Sequence, residues 1–144
     1  MNFYIIIPAH NEEAFLAQTL QSLTTQTLLP KKIVVVNDHS TDGTQLIINS
    51  FSAKFPFITS ITISSEEKHQ PGSKIIKAFY KGLELIDESY DILCKFDADL
   101  IFPNNYLERI SEIFQNNTSC GLAGGFCFDL LRRIRPSDPL GTPT

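Results

Sequence analysis

The stretch "KIVVVN" at residues 32–37 decides the fold, because it is apolar and rich in β-branched residues along almost its whole length. A strand with one face in water alternates apolar and polar residues. A strand of a parallel sheet is covered on both faces and forms a continuous apolar run. Val and Ile also favour the extended backbone. The stretch therefore predicts a strand of a parallel sheet that helices cover on both faces.

Apolar runs before and after this strand alternate with helical patterns. Further strands are predicted at residues 3–7 ("FYIII"), 57–64 ("FITSITIS"), 90–96 ("YDILCKF") and 120–128 ("CGLAGGFCF"). Between the strands apolar residues recur at helical spacing, with Asn11 as the predicted cap of the first helix and Ser40 or Thr41 of the second. Pro103 is expected to open the helix after the fourth strand. This alternation predicts an α/β fold with a mostly parallel sheet.

The length and composition predict one domain. The chain has 144 residues, which is enough for one core, and we expect that core to occupy residues 1–128. Residues 129–144 are rich in proline and polar side chains and are predicted to be a disordered tail. A formal charge of −4 argues against broad nucleic-acid binding, which needs a surplus of Lys and Arg, so we expect no nucleic-acid partner.

The hydrophobic segments predict a cytoplasmic location. The apolar run near the amino terminus is too short for a membrane span and lacks a basic flank, so it does not resemble a signal peptide. Arginines among apolar residues at 130–136 would allow weak peripheral association with the cytosolic face of a membrane. A solvated connecting segment is the alternative interpretation of these arginines.

Polar side chains follow three of the predicted strands. They lie at residues 8–12, 37–40 and 97–99. In open parallel sheets, ligands bind outside the carboxyl ends of the strands. Each cluster alone is weak evidence, but their shared placement predicts one binding site at this edge of the sheet.

Asp97 and Asp99 form the most informative pair. Alternate residues of an extended chain point the same way, so both carboxylates can face one ligand. Two hard oxygen donors suit Mg²⁺ or Mn²⁺, which keep coordination positions open for substrate phosphates. The alternative is an acidic first turn of the helix that Pro103 opens.

Each of the other polar residues allows two interpretations. Asp38 is expected either to accept hydrogen bonds from a ligand, such as the N–H edge of a base, or to stabilise a turn. Lys74, just after a glycine at a helix start, suits a phosphate, although solvated lysines are commoner. His10 and His39 raise the hypothesis of a hydrolytic metal site, but their spacing does not match that of paired metal ligands.

Four motifs in order carry a family resemblance. They are "IIIPAHNEE" (5–13), "VVVNDHSTDGT" (34–44), "GSKIIKAFYKG" (72–82) and "KFDADL" (95–100). Together they resemble family 2 glycosyltransferases, which have the Rossmann-like GT-A fold, over roughly residues 3–128. The resemblance implies an inverting transfer of a sugar from a nucleotide-diphosphate donor, UDP- or GDP-linked, with Mn²⁺ or Mg²⁺ as cofactor.

The resemblance also implies roles for individual residues. Pro8, Ala9 and Glu12 would contact the nucleoside, and Asp38 would accept from its base. Asp97 would lie near the ribose or the metal, and Asp99 would coordinate the metal. The full set that the resemblance assigns to the donor is Pro8, Ala9, Asn11, Glu12, Asp38, Lys74, Asp97 and Ala98.

The chain departs from the family pattern in one respect. We expect a truncated chain, since no candidate general base and no acceptor-binding half follow the "KFDADL" motif, and the acceptor (saccharide, lipid or protein) stays open. A nucleotide-sugar-binding fragment without turnover is therefore an alternative. A second alternative is a haloacid-dehalogenase-like phosphatase with Asp97 as nucleophile, but this leaves the motifs at 5–13 and 34–44 unexplained.

Overall fold

The computed structural model describes residues 1–64, 72–125 and 127. The chain divides into two compact units, Met1–Arg109 and Ile110–Thr144, and the first contains the whole β-sheet. The strands are β1 (Phe3–Ala9), β2 (Lys32–Asp38), β3 (Ile58–Ile63) and β4 (Ile92–Lys95). The helices are α1 (Leu16–Thr24), α2 (Thr44–Lys54), α3 (Ser73–Leu83) and α4 (Tyr106–Asn116).

The four strands pair in the order β3-β2-β1-β4, and every pairing is parallel. The predicted α/β fold with a parallel sheet and flanking helices is thus confirmed. The chain runs outward from β1 through β2 to β3, and then returns to place β4 on the other side of β1. Such a reversal of direction opens a crevice at the carboxyl ends of the strands, where open α/β sheets bind ligands.

The two faces of the sheet are covered by different helices. On one face, Ile6, Val34 and Val36 pack with Ala78 of α3 in a buried cluster. A Cβ added at Gly82 of α3 would lie 2.6 Å from Cγ2 of Ile6, so the helix approaches the sheet more closely than a side chain would allow. Alternation along the strands directs the other fully buried residues of β1 and β2 to the opposite face.

Asn11 was predicted to cap α1, but it does not. The helix begins at Leu16, and the residue before it, Phe15, makes no side-chain capping bond. Asn11 instead has a left-handed backbone (φ 50°), and its Oδ1 accepts a hydrogen bond from the Thr41 N–H at 2.8 Å. The amide side chain therefore joins two loops that are distant in sequence, which helical spacing does not reveal.

The predicted cap of α2 is also wrong. Neither Ser40 nor Thr41 caps this helix, which begins at Thr44. The carboxylate of Asp42 accepts the Thr44 N–H at 3.0 Å. Asp42 and Thr44 are close in sequence, and the short aspartate side chain favours such local bonds to the backbone.

Two predictions at the end of the chain have different outcomes. The helix after Pro103 is present, but it begins at Tyr106, whose N–H donates to the Pro103 carbonyl at 3.1 Å. The strand predicted at 120–128 is not found in its described residues, 120–125 and 127, and Phe126 and Phe128 lie outside the described part. Glycines at three of these positions weaken a strand, since they lose more backbone entropy and supply no side chain to pack.

The predicted tail at 129–144, including the arginines at 130–136, lies outside the described residues. Within the described parts of the chain, none of the helices combines the length and apolar character needed to cross a membrane.

Candidate functional site

A cavity of about 560 Å³ opens at the carboxyl ends of the strands. The last residues of β1 and β2 contribute to its wall, together with the segments that follow β1, β2 and β4 and the amino-terminal turns of α3. Its described lining residues are Pro8, Ala9, His10, Glu12, Asp38, His39, Gly72, Lys74, Ile75, Ala78, Asp97, Ala98 and Asp99. The structure therefore brings together every donor and metal residue that the sequence predicted, with the exception of Asn11.

Two histidines surround Asp38 in the wall of the cavity. The Nδ1 atom of His39 lies 2.7 Å from Oδ1 of Asp38, and Nδ1 of His10 lies 2.7 Å from the Asp38 carbonyl oxygen. The two imidazole rings are 4.7 Å apart. Asp38 itself is buried, and His39 contacts its carboxylate while His10 contacts its backbone carbonyl. The result is a polar wall held in one arrangement.

The loops after β1 and β2 are tied to each other by side chains. The Asn11 N–H donates to Ser40 Oγ at 3.0 Å, and the Glu12 N–H donates to Thr44 Oγ1 at 2.9 Å. Together with the Thr41 bond to Asn11, these contacts hold Glu12 and Asp38 in one wall. Asn11 thus links two loops and is not among the residues that line the cavity.

Asp97 and Asp99 lie in a turn beyond β4, which ends at Lys95. The Asp97 side chain is 60% exposed and lies 3.3 Å from the Lys95 ammonium group. The alternative in which this pair begins α4 is wrong, because the acidic residue in the first turn of that helix is Glu108. The two carboxylates are presented to the cavity instead.

The electrostatic environment of this wall is negative. Burial raises the pKa of Glu12 above its ordinary value, and the nearby carboxylates of Asp99, Asp42 and Asp97 raise it further. Like charges gathered at one place disfavour each other's ionised forms. A cation bound among these carboxylates would relieve that repulsion.

The part of the cavity wall at the start of α3 suits an anion. The helix α3 begins at Ser73, directly after Gly72, which adopts a left-handed backbone conformation (φ 93°). The dipole at a helix start attracts phosphate, and the ammonium group of Lys74 adds a positive charge there. The cavity therefore has carboxylates on one side and positive groups on another.

The donor set fits a cation shared with a phosphate ligand. No group of three His, Cys, Asp or Glu side chains able to hold a metal is found among the described residues. Mg²⁺ commonly binds one or two protein carboxylates together with substrate phosphates, so the pair Asp97 and Asp99 is sufficient for that arrangement. The hypothesis of a hydrolytic site with His10 and His39 as ligands is not supported, since these histidines belong to no such group among the described residues.

Several cavity residues were not predicted as ligand contacts. His10 and His39 were considered only as metal ligands, although their position beside strand ends indicated that they would reach the same edge. Ile75 and Ala78 lie on α3 and contribute apolar surface. Helical periodicity identified this helix, but the part of it that reaches the cavity depends on how it lies on the sheet.

A comparison with protein families assigns the chain to one of them. Residues 4–137 match the family described as glycosyl transferase family 2. The chain belongs to this family. The resemblance seen in the four sequence motifs is therefore confirmed.

Known proteins of similar sequence are much longer than this family 2 chain. It is 34% identical to the probable glycosyltransferase YdaM of Bacillus subtilis over 98 residues, which are 66% of this chain and 22% of that protein. The chain spans 18% to 38% of the length of the curated relatives it matches.

Solved structures show that the GT-A fold is shared. A crystal structure of S. aureus TarS 1–349 in complex with UDP matches with a TM-score of 0.66 and 24% identity, over 81% of this chain and 32% of that one. The mannosyltransferase PcManGT from Pyrobaculum calidifontis, in complex with GDP-Man and Mn²⁺, matches with a TM-score of 0.57 and 23% identity, over 71% of this chain and 28% of that one.

Proposed function

We propose that the cavity binds the nucleotide diphosphate of a sugar donor, and that the chain provides the donor-binding part of a glycosyltransferase. One observation carries the proposal. In a member of glycosyl transferase family 2, carboxylates from separate strand ends line one cavity of about 560 Å³ together with a helix start and a lysine. A volume of this size lies within the range of small-molecule sites.

The nucleoside is proposed to lie against the wall formed at the carboxyl ends of β1 and β2. Pro8 and Ala9 supply an apolar surface, and Asp38 accepts a hydrogen bond from the N–H edge of the base. The buried position of Asp38 and its contacts with both histidines support this role, because a fixed acceptor discriminates better between bases than a mobile one. Glu12 is proposed to contact the same nucleoside.

The diphosphate is proposed to lie between the Asp97–Asp99 turn and the start of α3. Lys74 and the positive end of the α3 dipole would attract the phosphate oxygens, and Ala98 would contact the ribose side of the donor. Asp97 and Asp99 would hold Mn²⁺ or Mg²⁺, with Asp97 also near the ribose. When bound, such a cation stabilises negative charge on the leaving diphosphate. The Mn²⁺ in the PcManGT complex supports this choice of cofactor.

The solved structures support a choice between two bases. The neighbour TarS is in complex with UDP and PcManGT with GDP-Man, so UDP- and GDP-sugars are the proposed donors. The acceptor is a saccharide, a lipid or a protein. A nucleotide-sugar-binding module without turnover is the second candidate, because the roles proposed for the cavity residues are all in donor and metal binding and none is that of a general base.

Thermal stability with added nucleotides tests the proposal. UDP, GDP and ADP would each be added with Mn²⁺ or with EDTA. A ligand that binds the folded state at a hundredfold excess over Kd stabilises it by about 2.7 kcal/mol. We expect a Mn²⁺-dependent rise in Tm with UDP or GDP, and loss of that rise in Asp99→Asn.

A matched control keeps this result specific. Glu84→Gln removes one carboxylate charge at a site 65% exposed, where Glu84 pairs with Lys81, and should leave the rise intact. No rise with any nucleotide would overturn the proposal, and a full Mn²⁺-dependent rise in Asp99→Asn would overturn the metal assignment. Release of sugar from a UDP- or GDP-sugar onto an acceptor separates a transferase from the binding module.

A further inference from the structure

A row of polar side chains on α1 and just after it contacts the segment that carries Asp97 and Asp99. The Thr19 hydroxyl donates to the Ala98 carbonyl at 2.8 Å, and Ser22 Oγ accepts the Phe102 N–H at 3.1 Å. Farther along, Gln26 Nε2 donates to the Pro103 carbonyl at 2.6 Å. The helix that follows β1 thus binds the backbone that follows β4.

Thr19 is the member of this row nearest the cavity. It is fully buried, with 0% of its surface exposed, so its hydroxyl has no access to water. A threonine hydroxyl has one proton to donate, and its oxygen is closer to Ala98 O, at 2.8 Å, than to Phe15 O in its own helix, at 3.3 Å. The bond to Ala98 is therefore the better one.

The bond matters because it fixes the peptide between the two aspartates. Sheet pairing of β4 with β1 ends at Lys95, and one further backbone bond, from Phe96 N–H to the Ile6 carbonyl at 3.1 Å, continues it. Beyond Phe96 the chain leaves the sheet. The Ala98 carbonyl lies in the peptide unit that joins Ala98 to Asp99, so holding this oxygen orients the backbone from which the Asp99 carboxylate projects.

We infer that Thr19 is a positioning residue for the Asp97–Asp99 turn, and that its buried hydroxyl sets the geometry in which both carboxylates meet the cation. The inference rests on the proposed function, because the cation and diphosphate are its ligands. Thr19 touches neither ligand in this scheme. It acts through the Ala98 carbonyl, as partners behind metal ligands commonly do.

Three variants test the inference. Thr19→Val keeps the shape and the β-branch but removes the hydroxyl, whereas Thr19→Ser keeps the hydroxyl. Thr24→Val is the matched control, since the Thr24 hydroxyl donates locally to the Gln21 carbonyl at 3.1 Å in the same helix. All three variants would first be compared with the wild type by urea unfolding, so that binding is measured where each is folded.

Calorimetric titration with Mn²⁺ at saturating UDP or GDP gives the first readout. Loss of an outer partner of a metal ligand typically weakens metal affinity about 10- to 100-fold, and we expect a loss of this size in Thr19→Val. Thr19→Ser and Thr24→Val should bind within about threefold of the wild type. Wild-type Mn²⁺ affinity in Thr19→Val, or equal losses in Thr19→Ser and Thr19→Val, would overturn the inference.

Amide hydrogen exchange without ligand gives a second readout that does not depend on the proposed function. We expect faster exchange across residues 97–102 in Thr19→Val, with β1 unchanged as an internal reference. If the wild type binds no nucleotide, the proposed function fails. The exchange rates at residues 97–102 then decide by themselves whether Thr19 positions this turn. Unchanged exchange at 97–102 would overturn it.

Discussion

The pKa values of carboxyl groups are shifted in opposite directions at the two ends of the sheet, for Asp87 at one end and Glu12 at the other. At the amino ends of the strands, bonds from Ser89 and Tyr4 lower the pKa of Asp87 from 3.8 to about 2. At the carboxyl ends, burial and neighbouring carboxylates raise the pKa of Glu12. One end satisfies the Asp87 carboxylate with donors from the protein, and the other places Glu12 beside carboxylates that raise its pKa. Such an imbalance is typical of a site that a ligand completes.

The amino end has the features of a structural network. Tyr4 Oη donates to Asp87 Oδ1 at 2.8 Å, and the Asn2 N–H donates to Asp91 Oδ2 at 2.6 Å. The ammonium groups of Lys31 and Lys32 lie 6.0 and 5.8 Å from the centre of the Tyr4 ring. Positive and negative groups are thus mixed here, whereas carboxylates predominate around Glu12. The comparison predicts that changes at the amino end affect stability and changes at the carboxyl end affect binding.

The largest effect on stability is expected between the two ends, at Gly82. In Gly82→Ala the new Cβ would lie 2.6 Å from Ile6 Cγ2 and 2.9 Å from Val36 Cγ2, so α3 must move away from the sheet. Overpacking of this kind costs about 1–3 kcal/mol, and the better helix propensity of Ala offsets up to about 1 kcal/mol. We expect a net loss of about 1–2 kcal/mol in the free energy of unfolding in urea.

Gly124→Ala is the control for this variant, because a Cβ there meets nothing within 4 Å. It should unfold at the wild-type urea concentration. Nucleotide binding by folded Gly82→Ala should also stay close to the wild type. If binding were lost in proportion to stability, the site would depend on the packing of α3 on the sheet. The prediction that stability and binding are affected separately would then be wrong.

A smaller effect on stability, a gain instead of a loss, is expected for Glu12→Gln. Because the pKa of Glu12 is raised in the folded chain, its ionisation disfavours folding, and this cost develops as the pH rises through the raised pKa. Glutamine cannot ionise. The variant should therefore be more stable than the wild type near pH 7, and the difference should disappear below the ordinary glutamate pKa of about 4.3.

Urea unfolding of Glu12→Gln over a series of pH values measures this. Glu13→Gln, at the exposed neighbouring position, is the matched control and should show no such gain. Added Mn²⁺ with nucleotide should reduce the difference, since a cation favours the ionised carboxylate. A variant less stable than the wild type at pH 7 would contradict the account of this wall.

The smallest effect is expected at the amino end, in Tyr4→Phe. Removing one donor raises the pKa of Asp87 toward its ordinary value. A lowered pKa contributes stability that is present above about pH 3.9 and is lost as the pH falls through the folded value, so the variant should be slightly less stable at pH 7. The difference from the wild type should shrink between about pH 4 and pH 2.

This prediction is checked by urea unfolding together with a titration of the Asp87 carboxyl by NMR. Tyr90→Phe is the control, because the Tyr90 ring packs on Tyr4 at 5.4 Å and is not among the groups that lower the pKa of Asp87. Nucleotide binding should be unchanged in both variants. A binding loss in Tyr4→Phe would mean that the two ends are coupled.

Much of the fold could be predicted because its strands are locally encoded. β2 was predicted at 32–37 and extends to Asp38, and β1 was predicted at 3–7 and extends to Ala9. Both are apolar runs that a covered sheet requires. The errors fall where distant groups decide the local structure, as at Asn11, whose side chain bonds to Thr41 instead of capping α1.

The strand ends that form the candidate site were predicted, but the side-chain contacts between them were not. Parallel strands bring their carboxyl ends to one edge, so Asp38 and the Asp97–Asp99 pair could be placed together in advance. The contacts of His39 with Asp38 and of Thr19 with Ala98 could not. They join residues through side-chain directions that depend on how each helix and loop lies on the sheet.

The sequence by itself determined the alternation of strands and helices, the edge of the sheet at which polar residues collect, and the motifs of the family. These features depend on local periodicity and on residue order, which a chain carries without folding. Tertiary structure alone decided the charge balance of the cavity and the anchoring of its acidic turn. Both depend on distances between residues far apart in sequence, and those distances exist only once α1 and the strands have packed together.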